Sequence, residues 1–490
     1  MASESVRRFP RGERQLFFDD ADVARIDGLH RRMHQPDKKG AVIRTDPYMA
    51  VRAQAEGGPA YRPQTRSAPV WDPAAGLWKF WTIGAKLDAD KGRSSYHESR
   101  DGLHWYQPNV GQLEYEGSYE NNHVAIPIDD TRTSEVLGVV YDAGDPDPAR
   151  RFKAISFTMV PDHAIFFGVS PDGIVWERHD APDILSGDEP NFSFDVVNRR
   201  FIATVKVRGP HGRSHALTAS EDFAKWSEPQ LVFHADDEDQ ELARAVIARR
   251  LANSALQQTQ INHVDEHSVD VYNFSVSRYE SRYIGFASMF HHVGRNPTGR
   301  NHDGFHHVQL ASSRDMYTWL RQGNREPFID SSPLGGGAYD TLQMLGPSSP
   351  VVRDDELWFY YTGIKFRWPP ANWDEDHAAI CLAVLRRDGF VSLDAGNGSG
   401  AVETEAFLWE GEQLFVNAVA DEGAITVEVL DAEGGPVAGF GGEDAIALTD
   451  DSVRQAVAWR AQERLPDPAG GPIRLRFNLN GARLYSYWFE

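Results

Sequence analysis

Apolar and polar residues alternate in short runs along most of this chain, the pattern of half-buried strands. Leu77-Trp78-Lys79-Phe80-Trp81, Phe152 to Phe157, Phe201 to Val207, Tyr283 to Met289 and Leu357 to Thr362 are rich in Val, Tyr, Phe and Trp, and each follows a polar turn. A shorter run precedes each: Ala68 to Trp71, Val136 to Tyr141, Asn191 to Phe194, Val271 to Val276 and Ser349 to Val352. A third follows: Ser94 to Glu98, Ala164 to Val169, His215 to Ala219, His307 to Ala311 and Ala378 to Leu385. Five such units predict an all-β fold.

A fixed spacing sets their phase. Ser99, Asp101 and Trp105 recur as Ser170, Asp172, Trp176, as Ser220, Asp222, Trp226, and as Ser313, Asp315, Trp319, with Asp388-Gly389-Phe390 a degenerate fifth. Self-similarity at roughly fifty residues marks propeller blades or stacked repeats. The prediction is a five-bladed β-propeller over residues 1–393 and a β-sandwich over 394–490, where short alternating strands continue between Gly-rich turns. Leu16-Phe17-Phe18 is a candidate strand closing the ring against the last blade. Residues 236–260 break the pattern with helical spacing, Leu242, Val246, Leu251 and Leu256 forming a broken apolar stripe. They predict a surface helix packed on the propeller, or alternatively a contact between two copies of the chain.

The repeat itself has a structural reading. Asp and the following Gly make a tight turn between outer strands, and Trp packs between blades. A motif present in nearly every blade marks architecture, whereas an active site is one place.

Composition narrows the function. A formal charge of −22 disfavours nucleic acid and anionic membrane as partners, since phosphate binding needs clustered cations. Cys381 is the only cysteine, which excludes an intrachain disulfide and a cysteine-based zinc site. Residues 1–15 lack the apolar segment of a secretory signal, and no apolar run reaches membrane-spanning length, so a cytoplasmic location is expected. There is no Gly-rich phosphate loop and no nucleophile elbow, and no cofactor is expected.

Inner strands of a propeller converge at one mouth, so acids at their starts are the candidates for chemistry. Asp188, Asp270 and Asp340 precede or open the inner strands of the third, fourth and fifth units, with Glu120 in reserve before the second. Asp72, Asp195, Asp354 and Asp355 fall in turns and read as solvated structural residues. Clustered carboxylates push one pKa upward, which supplies the acid that glycosidic cleavage requires beside a base or nucleophile. Candidate substrate-binding residues are Glu56, Arg208, Arg213, His215, Tyr272, Tyr339, Gln343, His306 and Trp368. His302, Asp303, His306 and His307 are metal ligands by type, but their spacing is not one a helix imposes, and no metal is expected.

The five-unit grammar with its Ser-x-Asp turns, followed by small strands, resembles the β-fructosidase superfamily, glycoside hydrolase families 32, 43, 68 and 117. Asp388-Gly389-Phe390-Val391-Ser392-Leu393-Asp394-Ala395-Gly396 and the final Leu484-Tyr485-Ser486-Tyr487-Trp488-Phe489 are also similar to the tail of bacterial family-32-like proteins. The resemblance implies a propeller with three acids in an axial funnel and a small oligosaccharide, such as a furanoside, as substrate. The Asn-Asp-Pro-Asn-Gly, Arg-Asp-Pro and Glu-Cys motifs of family 32 are absent, so no catalytic residue is carried over by motif. The expectation is a glycoside hydrolase or transglycosylase, the alternative a non-catalytic glycan-binding propeller.

Overall fold

The computed structural model describes residues 6–44, 63–84, 92–115, 117–159, 162–188, 190–296, 301–367, 376–467 and 470–490. The described residues are mostly β, with one helix of more than a single turn among them, Asp237–Leu251. No helix among the described residues is long and apolar enough to cross a membrane.

Five antiparallel sheets follow one another. The first comprises Val70–Asp72, Leu77–Thr82, Ser94–Ser99 and His123–Val124; the second comprises Gly138–Tyr141, Phe152–Thr158 and Ala164–Ser170, with Glu177–Arg178 and Ile184–Leu185 on its last strand. The third comprises Asn191–Asp195, Arg200–Gly209, Gly212–Ser220 and Gln230–Phe233; the fourth comprises Ser268–Tyr279, Arg282–Arg295, His302–Ser313 and Leu320–Arg321. In the fifth, Gln343–Leu345 and Val351–Arg353 both pair with Glu356–Ile364, which pairs with Ala378–Arg386.

Apolar cores lie between consecutive sheets. Trp81 meets Phe152 between the first and second, Phe167 meets Trp226 between the second and third, and Phe233 stacks on Phe274 between the third and fourth. Phe286 meets Phe359 between the fourth and fifth, and Phe80 meets Tyr360 between the first and fifth. Polar side chains tie the first strands to their neighbours. Ser67 Oγ accepts from Val139 N, Asn191 Nδ2 donates to Asn273 Oδ1, Ser275 Oγ to the Pro347 carbonyl, and Thr65 N to Thr362 Oγ1.

The N-terminus departs from expectation. The strand that finishes the fifth sheet is Asp37–Arg44, paired with Ala378–Arg386, whereas Gln15–Leu16 pairs with Arg483–Phe489 of the C-terminal region. Alternation explains this: Leu16 and Phe18 join the core between the fourth and fifth sheets, and Phe17 joins the C-terminal core. Two six-stranded sheets share that C-terminal core, and residues 7–33 supply strands to both.

Three of the four Ser-x-Asp turns close alike, whereas Trp226 Nε1 of the third copy has no hydrogen-bond partner among the described residues. Asp101 Oδ1 accepts the N–H groups of Leu103 and His104, Ser99 Oγ accepts that of Gly102, and Trp105 Nε1 donates to the Gly102 carbonyl. The residue after Asp has positive φ each time (Gly102 78°, Gly173 75°, Phe223 63°, Met316 72°), the strained position of the turn. In the fifth copy Asp388, at φ 58°, turns instead to the C-terminal unit: it accepts from Arg14 Nη1 at 2.6 Å, Tyr279 Oη and Ser486 Oγ at 2.5 Å, and Asn417 Nδ2 at 3.3 Å.

Asp72 and Asp195, expected to be solvated, are buried. Asp72 pairs with Lys79 at 2.7 Å and caps the turn N–H groups of Ala74 and Ala75, and Asp195 accepts from Tyr283 Oη. The helix follows its expected stripe in part, Val246 and Leu251 packing against a core cluster. It starts with a capping box from Asp236 and Asp239 and buries Asp239, Ala243, Ile247 and Arg250, leaving Leu242 41% exposed. Arg321 and Arg325 hold Asp239, and Arg250 lies over the Phe305 ring, so ion pairs orient this helix as much as apolar spacing does.

Candidate functional site

In antiparallel sheets of this order, first strands begin at the end where the second-to-third hairpins return. The Ser-x-Asp turns lie at the other end, where the N-terminal segment docks through Glu13 on Arg278 and Asp22 on Arg282. The strand-start end therefore carries the candidate site.

Two β-bulges shape it. Val271 pairs with Met289 and Asn273 with Ser288, so Tyr272 is an extra residue; His292 pairs with Gly304 and Gly294 with Asp303, so Val293 is another. The first shifts the strand's phase: Val269 and Val271 before it, and Phe274 and Val276 after it, all face the core between the third and fourth sheets. Bulges re-aim side chains and are common beside active sites. Here they present Tyr272 on the same wall as Asp270 and His292.

Asp270 is the centre of this wall. It is 3% exposed; Arg213 donates to Oδ2 from Nη1 at 2.9 Å and from its backbone N–H at 3.2 Å, and His292 Nε2 lies 3.2 Å from Oδ1. Burial alone would raise its pKa, but the His292 hydrogen bond and charge, with the Arg213 guanidinium and N–H, outweigh burial and lower it. Asp270 stays ionised. Asp188 is 42% exposed at its side chain and accepts from Lys206 Nζ at 2.9 Å, while Gly187 N donates to the Lys206 carbonyl and pins the loop to the third sheet. Lys206, Arg213 and Arg367 flank the Tyr272 ring, Arg367 hydrogen-bonds Tyr272, and the His306 ring lies 4.9 Å from it.

The structure thus brings together Asp188, Asp270, Arg213, Tyr272 and His306. Gln343 adjoins them, since its neighbours Leu342 and Met344 hydrogen-bond His306. His215 is buried beside the backbone of Val271 and Tyr272; burial and then the Lys206 charge push it down to about 3. Arg208 is exposed, opposite Arg213 across the hairpin.

Other candidates sit elsewhere. Asp340 is buried against Lys38 Nζ at 2.7 Å and Tyr361 Oη at 2.8 Å, partners that Asp270 does not share. Tyr339 donates to Asp376 at 2.5 Å within the core of the fourth and fifth sheets. Glu120 is exposed in a loop, its N–H donating to Ser118 Oγ. Glu56 and Trp368 lie outside the described residues. No group of three or more His, Cys, Asp or Glu among the described residues is arranged to hold a metal. Strand alternation explains why: His302 and His306 face His292 and Phe290, while His307 faces His291 on the other side.

Lys206, His292 and Arg367 belong to the site without having been expected there. Each stands near the far end of a second strand, which antiparallel order returns to the strand-start end, whereas the sequence reading weighed first-strand starts. Glu135, at the head of the second sheet and accepting from Gly84 N, is the acid at the position for which Glu120 was expected.

No protein-family model matches the chain, and no curated protein matches its sequence. Solved structures do match. An N-acetylgalactosamine deacetylase from F. plautii, solved with blood group B trisaccharide, is 15% identical with TM-score 0.42, over 74% of this chain and 97% of that one. A Bombyx mori GH32 beta-fructofuranosidase is 9% identical with TM-score 0.42, over 91% and 93%. A Penicillium chrysogenum alpha-L-arabinanase complexed with arabinobiose is 10% identical with TM-score 0.38, over 72% and 99%.

Proposed function

We propose that the five sheets are the blades of a β-propeller, that the two six-stranded sheets form a β-sandwich, and that the protein is a glycoside hydrolase, or a transglycosylase of the same chemistry, acting on a small oligosaccharide at the strand-start mouth. The observation that carries the reading is a carboxylate held ionised by Arg213 and His292 beside a bulge-presented tyrosine, with a second, more exposed carboxylate one blade away. Asp188 is the proton donor, once a bound sugar displaces its contact with Lys206. Its proton passes to the leaving oxygen as the glycosidic C–O bond breaks. Asp270 takes a proton from the water that adds to the anomeric carbon, or itself attacks that carbon first. Glu135 is the third acid.

Asp188 and Asp270 each already face a cation, which favours one alternative, a propeller that binds glycans without cleaving them. The purified protein, incubated with a panel of oligosaccharides, decides by the sugars released. We expect Asp270→Asn and Asp188→Asn each to lose roughly 10²- to 10⁴-fold in kcat. Full cleavage by both folded variants overturns the assignment, and binding without cleavage by the unaltered protein selects the alternative.

A further inference from the structure

One line of hydrogen bonds crosses the strand pair that carries Asp270. Ser268 and His292 stand opposite each other, and Asp270 follows Ser268 by two residues, ahead of the bulge, so its side chain shares that face. Ser268 Oγ lies 3.3 Å from His292 Nδ1, and His292 Nε2 lies 3.2 Å from Asp270 Oδ1. The imidazole is buried, with His302 stacked on it at 4.5 Å and the Phe290 ring across it at 4.4 Å.

These contacts decide where the ring carries its proton. An ionised carboxylate only accepts, so the contact with Asp270 requires a proton on Nε2. The guanidinium Nη1 of Arg213 is further from that nitrogen, at 3.5 Å, and already donates to Asp270 Oδ2 at 2.9 Å. Nδ1 of the neutral ring is then an acceptor, and the Ser268 hydroxyl is its donor. When Nδ1 takes up a proton the hydroxyl can turn, accepting from the imidazolium and donating to the Glu266 carbonyl at 3.4 Å. Ser268 satisfies both charge states with no change of backbone, and the bond to Asp270 persists in each.

Among the described residues, Asp270 favours the imidazolium and Arg213 opposes it. Behind His302 stand Glu266 and Arg295, of opposite sign. His302, His306 and His291 are each pushed down by burial first, with the His292 charge among the further causes, so they face this ring uncharged at neutral pH. A protonated His292 sets a second cation on a carboxylate that Arg213 already pairs, which weakens Asp270 as a base or a nucleophile. Histidine is also the side chain whose charge ordinarily changes near neutral pH. We propose that Ser268 and His292 form the positioning pair of Asp270 and the acid switch of the mouth: the site works with His292 neutral, its Nε2–H on Asp270, and loses activity on acidification as that ring takes the proton. This sets the regulation of the site assigned above and rests on that reading.

Long-range nitrogen–proton correlation spectra of the full chain, isotope-labelled at histidine, test the pair without reference to activity, the His292 signals being those lost in His292→Gln. We expect the neutral ring to carry its proton on Nε2, and its titration midpoint to fall by about one pH unit or more in Asp270→Asn. The midpoint should also fall in Ser268→Ala, because a hydroxyl bonds a charged ring more strongly than a neutral one, and return in Ser268→Thr. With an oligosaccharide that the protein cleaves, His292→Gln keeps a donor at the place of Nε2 but does not titrate. It should lower kcat by less than Asp270→Asn does and move the acid limb of the pH profile down by about one pH unit or more. Ser268→Ala, which should move the limb the same way, serves if the Gln variant does not fold. A neutral ring protonated at Nδ1, a midpoint that Asp270→Asn leaves in place, or an acid limb unmoved in the folded variants overturns this inference and leaves the hydrolase reading standing. The expected spectra with no cleavage of any oligosaccharide overturn the hydrolase reading and with it the switch, and keep the positioning pair.

Discussion

Two buried carboxylates show how much a residue's role depends on its partners. Asp270 and Asp340 occupy equivalent places at the heads of neighbouring sheets. Asp270 is held at the mouth by Arg213 and His292, whereas Asp340 is shut in by Lys38 and Tyr361. Asp340→Asn should therefore cost stability, about 2 kcal/mol for a buried pair broken on one side, with kcat unchanged. Urea unfolding of Asp340→Asn, Lys38→Met and the double variant measures this, and the double variant should recover part of the loss. Equal position in the sequence predicted equal roles because sequence does not reveal which cation reaches which acid. His215 gives a pH prediction. Its folded pKa of about 3 lies below the unfolded value of 6.5, so on acidification the unfolded chain binds the proton first. Stability is full above pH 6.5 and falls as pH drops toward 3, by about 2 kcal/mol at pH 5 from this residue. His215→Gln should flatten the stability profile by about one proton between pH 6 and 4, as read by denaturant midpoints. An unchanged slope would mean that the side chain is accessible to protons in the native state.

At the scale of elements, most strands were legible because a half-buried strand must alternate, and the Ser-x-Asp turns fixed their phase. The bulges were not. The apolar positions change parity from Val269 and Val271 to Phe274 and Val276, but the shift alone does not say which residue is extra; the pairing of Val271 with Met289 and Asn273 with Ser288 places it at Tyr272. The helix was legible in its spacing, and Val246 and Leu251 do pack on a core, but its fully buried face was not, because Arg321 and Arg325 dictate where Asp239 points. Deleting Tyr272 makes Val271 and Asn273 adjacent and leaves every flanking residue on its present face. The variant should keep its fold and near-native melting temperature and lose activity by at least roughly ten-fold, with the loss in sugar binding. Circular dichroism with the oligosaccharide assay checks both halves.

For the whole molecule, the degenerate fifth motif is the joint. Asp388 gathers Arg14, Tyr279, Asn417 and Ser486, drawn from the N-terminal segment, the fourth sheet and the C-terminal unit. Asp388→Ala leaves Arg14 buried and uncompensated, a loss of about 3–5 kcal/mol. Calorimetry should show one transition in the unaltered protein and two in the variant, as the C-terminal unit uncouples. A single transition lowered as a whole would mean that the shared N-terminal strands suffice to couple the units.

Those strands also set an order of events. Residues 7–44 pair with Ala378–Arg386 and with strands made still later, so the fifth sheet waits for Ala378–Arg386 and the two-sheet unit for Arg483–Phe489. Between Arg44 and its partner strand lie about 330 residues, which at roughly 5–20 residues per second keeps the N-terminal edge waiting for about 20–70 s. For that interval Leu16, Phe17 and Phe18 lack the cores they will occupy. The fifth sheet and the two-sheet unit are thus closed by strands made long before their partners, and the apolar run Leu16 to Phe18 is what must stay covered in between.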